Sequence, residues 1–191
     1  MTISKKGVTL IELLIVVGII SIVAAVGGDI LLTVVRAYKK AQTLGVVEQN
    51  GSLVGTLLEN DLRNSSVIKY ENDIGEFVDV SEGQTVYSDG IKITSSQGVT
   101  TAIRFVEGVD SEDDCSNGKF LVDDVSITTT NATLGVNVLK KGGSSIFTIY
   151  NPTSGPPIVT VLFDVTEGCQ SPVTAKAEFN TTVTLRGDYG N

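Results

Sequence analysis

Glu12 is the residue whose position most demands chemistry. It lies near the start of residues 8–28, a run whose other members carry no charge. A carboxylate in hydrocarbon costs about 3 kcal/mol or more unless it finds a partner. As a helix the run would span about 31 Å, close to the hydrocarbon thickness of a bilayer. No cation lies within it. Lys5 and Lys6 are the nearest upstream positive charges, and a cut after Gly7 would create another, the amine of Val8.

The remaining chemistry is sparse. The chain contains no His and no Trp, which removes the usual general base at neutral pH, any Ser-His-Asp arrangement and any His-ligated metal site. We therefore expect no enzyme activity, no catalytic residues, no cofactor and no resident metal. Cys115 and Cys169 are 54 residues apart, far from a metal-binding spacing. In an oxidising compartment they would form one disulfide worth about 2–4 kcal/mol, and in a reducing one they would stay separate thiols. Asp110, Glu112, Asp113 and Asp114 offer oxygens to a cation but lack the alternating Asp pattern of a calcium loop, and read as a solvated acidic segment. The net charge of −8 resides mainly in residues 65–191, with 17 acids against eight bases. Such a surface repels phosphate backbones, so nucleic-acid binding by that part is disfavoured.

Residues 7–17, Gly-Val-Thr-Leu-Ile-Glu-Leu-Leu-Ile-Val-Val, resemble the processing site and helix start of type IV pilins and the pseudopilins of type II secretion and DNA uptake. The resemblance implies cleavage after Gly7 by a membrane prepilin peptidase and N-methylation of Val8. It places the family's assembly glutamate at Glu12. The family usually has phenylalanine where Val8 stands, and often proline where Asp29 stands.

Physics gives these residue types a reason. Subunits packed helix against helix would bring a buried Glu12 to the freed amine of a neighbour, and a paired buried charge is tolerated where a lone one is not. Without the cut the amine lies seven residues away, so processing is coupled to assembly. Gly18, Ser21, Ala24, Ala25, Gly27 and Gly28 permit close helix approach. A secretory signal peptide ending at Ala25-Val26-Gly27 is the competing reading, as is a simple membrane anchor. Glu12 is badly placed for either, and apolar character resumes at residues 30–35. Arg36, Lys39 and Lys40 outnumber Lys5 and Lys6, so charge alone does not orient the span.

The elements that must position these groups follow from periodicity. Leu44, Val47, Val54, Leu58 and Leu62 recur at helical steps, with Gly51 on the same stripe. The helix should end near residues 64–66, with residues 27–29 as the candidate position for a break. Residues 67–70, 85–87, 91–94, 100–106, 145–150, 158–164 and 175–185 read as strands, with Ser88-Asp89-Gly90 as a hairpin turn. The segment 108–118 reads as an acidic loop, and Asp123-Asp124 as a turn or sheet edge.

The expected fold is α+β, a long N-terminal hydrophobic helix packed on a mainly antiparallel sheet domain, pilin-like in its order of elements. The expected parts are a prepilin leader (1–7), the membrane or filament-core half of the helix (8–35), its amphipathic half (36–65) and a β-rich domain (66–191). The helix end followed by many strands looks closest to J-type minor pseudopilins and W-type minor pilins. The implied function is a structural, minor subunit of a type IV pilus-like or pseudopilus filament. Its partners would be other pilin or pseudopilin subunits, the prepilin peptidase and the membrane. It would be held in the cytoplasmic membrane as a single-pass precursor, then placed in an extracytoplasmic filament. A major subunit, or a membrane-anchored or secreted binding domain, are the alternatives.

Overall fold

An apolar N-terminal run and the heptad-like stripe beyond it merge into one helix, α1 (Leu10–Arg63). The structure, a computed structural model, describes residues 9–110, 115–129, 131–133 and 135–186. Helix α1 continues through Gly27, Gly28 and Asp29 without a break. Two compact units divide the chain, Met1–Ala41 and Gln42–Asn191.

In the second unit the helix buries Val47, Gly51, Val54, Leu58 and Leu62, the stripe that the sequence periodicity marks. Leu44 on the same stripe is half-buried. Gly51 is required there: a side chain at this position would enter the ring of Phe179. Arg63 in the last turn pairs with Glu59 at 2.7 Å, which favours the helix end modestly.

Among the described residues thirteen strands follow: β1 (Ser65–Glu71), β2 (Phe77–Asp79), β3 (Gln84–Ser88), β4 (Gly90–Ser95), β5 (Thr100–Val106), β6 (Val109–Asp110) and β7 (Cys115–Ser116). Then come β8 (Lys119–Val122), β9 (Val125–Ser126), β10 (Val136–Lys140), β11 (Phe147–Asn151), β12 (Ile158–Glu167) and β13 (Lys176–Thr184). The α+β expectation holds, and every strand pairing is antiparallel. The strands do not form one sheet, however. One sheet has the order β2-β1-β4-β5-β8-β9, the other β10-β12-β11-β3 with β13 also on β12. Strands β6 and β7 pair with each other inside the segment read as an acidic loop; residues 111–114 lie outside the described residues.

Alternation along the strands supplies the core. Ile91, Ile93, Ile103, Phe105 and Phe120 come from one sheet; Val138, Phe147, Ile149, Val161, Phe163 and Val165 come from the other. Phe120 touches Phe105, Phe147 and Phe163 edge-on, with ring centroids 6.0, 6.3 and 5.1 Å away. Such contacts join the sheets through one aromatic cluster.

One turn assignment needs correction. Ser88-Asp89-Gly90 joins no hairpin, because β3 pairs β11 while β4 pairs β1 and β5. A two-residue hairpin loop of the primed type needs positive φ, and none of these three residues has it. Instead the chain crosses between sheets here, held by Asp89. Its carboxylate accepts from the Ile146 N–H at 3.1 Å and pairs with Lys140 at 2.7 Å, and its carbonyl accepts from the Phe105 N–H. Gly90 serves close packing, since a side chain there would strike the Glu71 carboxylate. That carboxylate holds Arg104 at 2.9 Å and keeps its guanidinium pKa raised. The primed turn forms at Asp123 and Asp124, with φ of 48° and 65°, between β8 and β9.

Candidate functional site

Thr9 precedes the first turn of α1, and the Glu12 N–H lies 3.4 Å from its hydroxyl oxygen. The spacing Thr-x-x-Glu is that of a capping box, in which the hydroxyl satisfies a free N–H of the first turn. Glu12 also carries negative charge at the positive end of the helix dipole. Both features were legible in the sequence, yet capping is missed when Glu12 is read only as a partner for another subunit. They give Glu12 a local role in starting the helix and leave its carboxylate exposed. Gly7 and Val8, the expected processing pair, lie outside the described residues, as do Lys5 and Lys6.

Beyond Glu12 the helix shows apolar side chains around its whole circumference. Leu14, Val17, Ile20, Val23, Ile30 and Leu31 are each at least half exposed. An 18-residue window of α1 reaches a mean hydropathy of 2.7 with none of it buried. A helix apolar on every side has no solvent-facing stripe and needs lipid or other helices around it. Its polar groups are quieted internally: the Ser21 hydroxyl donates to the Val17 carbonyl at 2.8 Å, and that of Thr33 to the Asp29 carbonyl at 2.9 Å. Gly18, Gly27 and Gly28 have open space where a Cβ would stand. Among the described residues no packing around these positions explains their smallness.

The disulfide expectation is met. Cys115 is bonded to Cys169 with their Cα atoms 6.2 Å apart. Asn117 sits beside it, buried, and sequence reasoning passed over it. Its side-chain carbonyl accepts from the Cys169 N–H at 2.8 Å, and its amide donates to the Asn131 carbonyl at 2.9 Å. The bridge and this amide together tie the β7 segment to the chain after β12.

The model of a family described as the prokaryotic N-terminal methylation motif matches residues 3–28. No curated protein matches the chain, and no solved structure does. The matched segment ends where the small-residue part of the helix ends, and includes Gly7, Val8 and Glu12. It supports a type IV pilin-like subunit, anchored in the membrane as a precursor, processed by a prepilin peptidase and assembled with other pilins.

Proposed function

We propose that this chain is a non-catalytic structural subunit, in a minor position, of a type IV pilus-like or pseudopilus filament. The methylation-motif match at residues 3–28, on a helix whose apolar surface is uncovered, carries the reading. In it Gly7 is the last residue of the leader, Val8 the methylated first residue of the mature chain, and Glu12 the partner of a neighbour's Val8 amine. The uncovered helix first lies in the bilayer and then among the helices of the filament. The minor position rests on the likeness of the helix end and many-stranded domain to J-type and W-type subunits.

Intact mass and N-terminal sequencing of membrane fractions test the processing step: the mature chain should begin at Val8 and carry one added methyl group. A start at Gly28 would show a conventional signal peptide, and the filament reading would fall. Glu12→Ala should leave the precursor inserted and cleaved but fail to co-purify with sheared filaments. The neighbour's amine would lose its counter-charge at a cost of about 3–5 kcal/mol. Equal recovery of the two proteins would remove Glu12 from the assembly role. Copy number per filament separates a minor subunit from a major one.

A further inference from the structure

The two units of the chain carry opposite charge. Residues 1–41 hold five Lys and Arg against two acids, whereas residues 42–191 hold nine against twenty. The positive charge beyond the apolar run is concentrated at Arg36, Lys39 and Lys40, all exposed, with Tyr38 69% exposed between them. Arg36 and Lys40 form no ion pair among the described residues. On the acidic unit, residues 70–91 hold six acids and no base. Asp73, Glu76 and Glu82 in this stretch are exposed and lack an ion pair among the described residues. At the tip of the β1–β2 hairpin, Ile74 is 76% exposed between Asp73 and Glu76. The tip is a built turn: the Asn72 carboxamide oxygen accepts from the Ile74 and Glu76 N–H groups at 3.2 and 2.8 Å.

We propose that the collar formed by Arg36, Tyr38, Lys39 and Lys40 docks the β1–β2 hairpin tip of a second copy of this chain. The carboxylates of Asp73 and Glu76 would face the cations, and Ile74 would cover the Tyr38 ring. This rests on the filament reading. In a bilayer the collar lies beside lipid phosphates, which attract such cations. A subunit leaving the bilayer gives up those phosphates, and a neighbouring copy's acidic unit replaces them. The contact needs adjacent copies, which a minor subunit supplies when it enters as a run of two or more.

The test uses the full-length chain in detergent, with copies of natural isotope content mixed with nitrogen-15 copies. A water-soluble carbodiimide joins carboxylates to amines in contact, and peptide mapping identifies the joined pairs. Mixed light–heavy products should link Lys39 or Lys40 to Asp73, Glu76 or Glu82. The double variant Lys39→Glu/Lys40→Glu lacks the reacting amines and is the control that gives none of these products, whereas Arg36→Glu keeps both amines and should reduce them about threefold through loss of an exposed ion pair. Mixing the double variant with Asp73→Lys/Glu76→Lys should create mixed products that join positions 39 or 40 of the first to positions 73 or 76 of the second, with amine and carboxylate exchanged. Products found only within one chain, mixed products unchanged by Arg36→Glu, or no product from the exchanged pair would overturn the proposal. So would a collar that binds vesicles of anionic phospholipid yet yields no mixed products, which would assign it to the membrane surface. The mass of the same sample shows whether the chain starts at Val8, so failure of the filament reading is seen separately from failure of the docking contact.

Discussion

A methyl group on Gly51 would enter the Phe179 ring, whereas one on Gly55, a turn further along the same helix, meets open space. The two glycines should therefore answer oppositely to substitution. Gly55→Ala should raise stability by about 0.5–1 kcal/mol through helix propensity. Gly51→Val should lower it by about 1–3 kcal/mol, because the ring must leave its stack on Phe163. Urea midpoints of the two variants check this. Asp61 is the other residue with a signed expectation. It sits in the last turn of α1, where the helix dipole disfavours an anion, and burial with nearby Asp123 raises its pKa. A carboxyl whose folded pKa is raised weakens the fold above that pKa, and the penalty is lost as pH falls through the folded pKa and is gone below the unfolded value. Asp61→Asn should thus stabilise by about 0.3–1 kcal/mol at pH 7 and by nothing near pH 3. Equal midpoint shifts at both pH values would contradict that cause.

At the level of elements, two fastenings hold what strand pairing alone leaves loose. Asp89 binds the crossing between sheets through Lys140 on β10 and the Ile146 N–H ahead of β11. Near the other fastening, the Cys115–Cys169 bond and Asn117 act on the same pair of segments. Reduction of the bridge should cost about 2–4 kcal/mol. Asn117→Ala should cost about 1–3 kcal/mol even with the bridge intact, because the Cys169 N–H would be left without its partner. Thermal unfolding of wild type and Asn117→Ala, each with and without reductant, measures both. If Asn117→Ala lost stability only after reduction, the amide would have no role of its own.

Across the whole molecule the division into an uncovered apolar unit and an acidic unit with its own core sets the expected behaviour. A chain beginning at Gln42 keeps all five fully buried positions of α1 and both cysteines. It should be soluble, oxidised and cooperatively folded without detergent, by circular dichroism and gel filtration. The full chain should require detergent or lipid, since residues 10–35 of α1 present apolar side chains on every side. Aggregation of the shorter chain would mean that its core depends on the segment removed.

Much of this was legible in residue order. The apolar run with its single carboxylate, the buried stripe from Val47 to Leu62 and the seven strands with strong alternation all follow from local patterning, because one-dimensional periodicity reports directly which face is buried. Strand β10 has the same alternation at Val136 and Val138, yet lies among polar and glycine residues and was passed over; β2 is too short to carry a period. What the tertiary structure alone decided is partnership across the chain. That Ser88-Asp89-Gly90 crosses between sheets instead of closing a hairpin depends on Ile146 and Lys140, more than 50 residues away. That Gly51 must lack a side chain depends on Phe179, and that Asn117 matters depends on Cys169. Local composition sets which segments are helix, strand or membrane-like; which strands become neighbours is fixed by packing between segments whose closeness no short window contains.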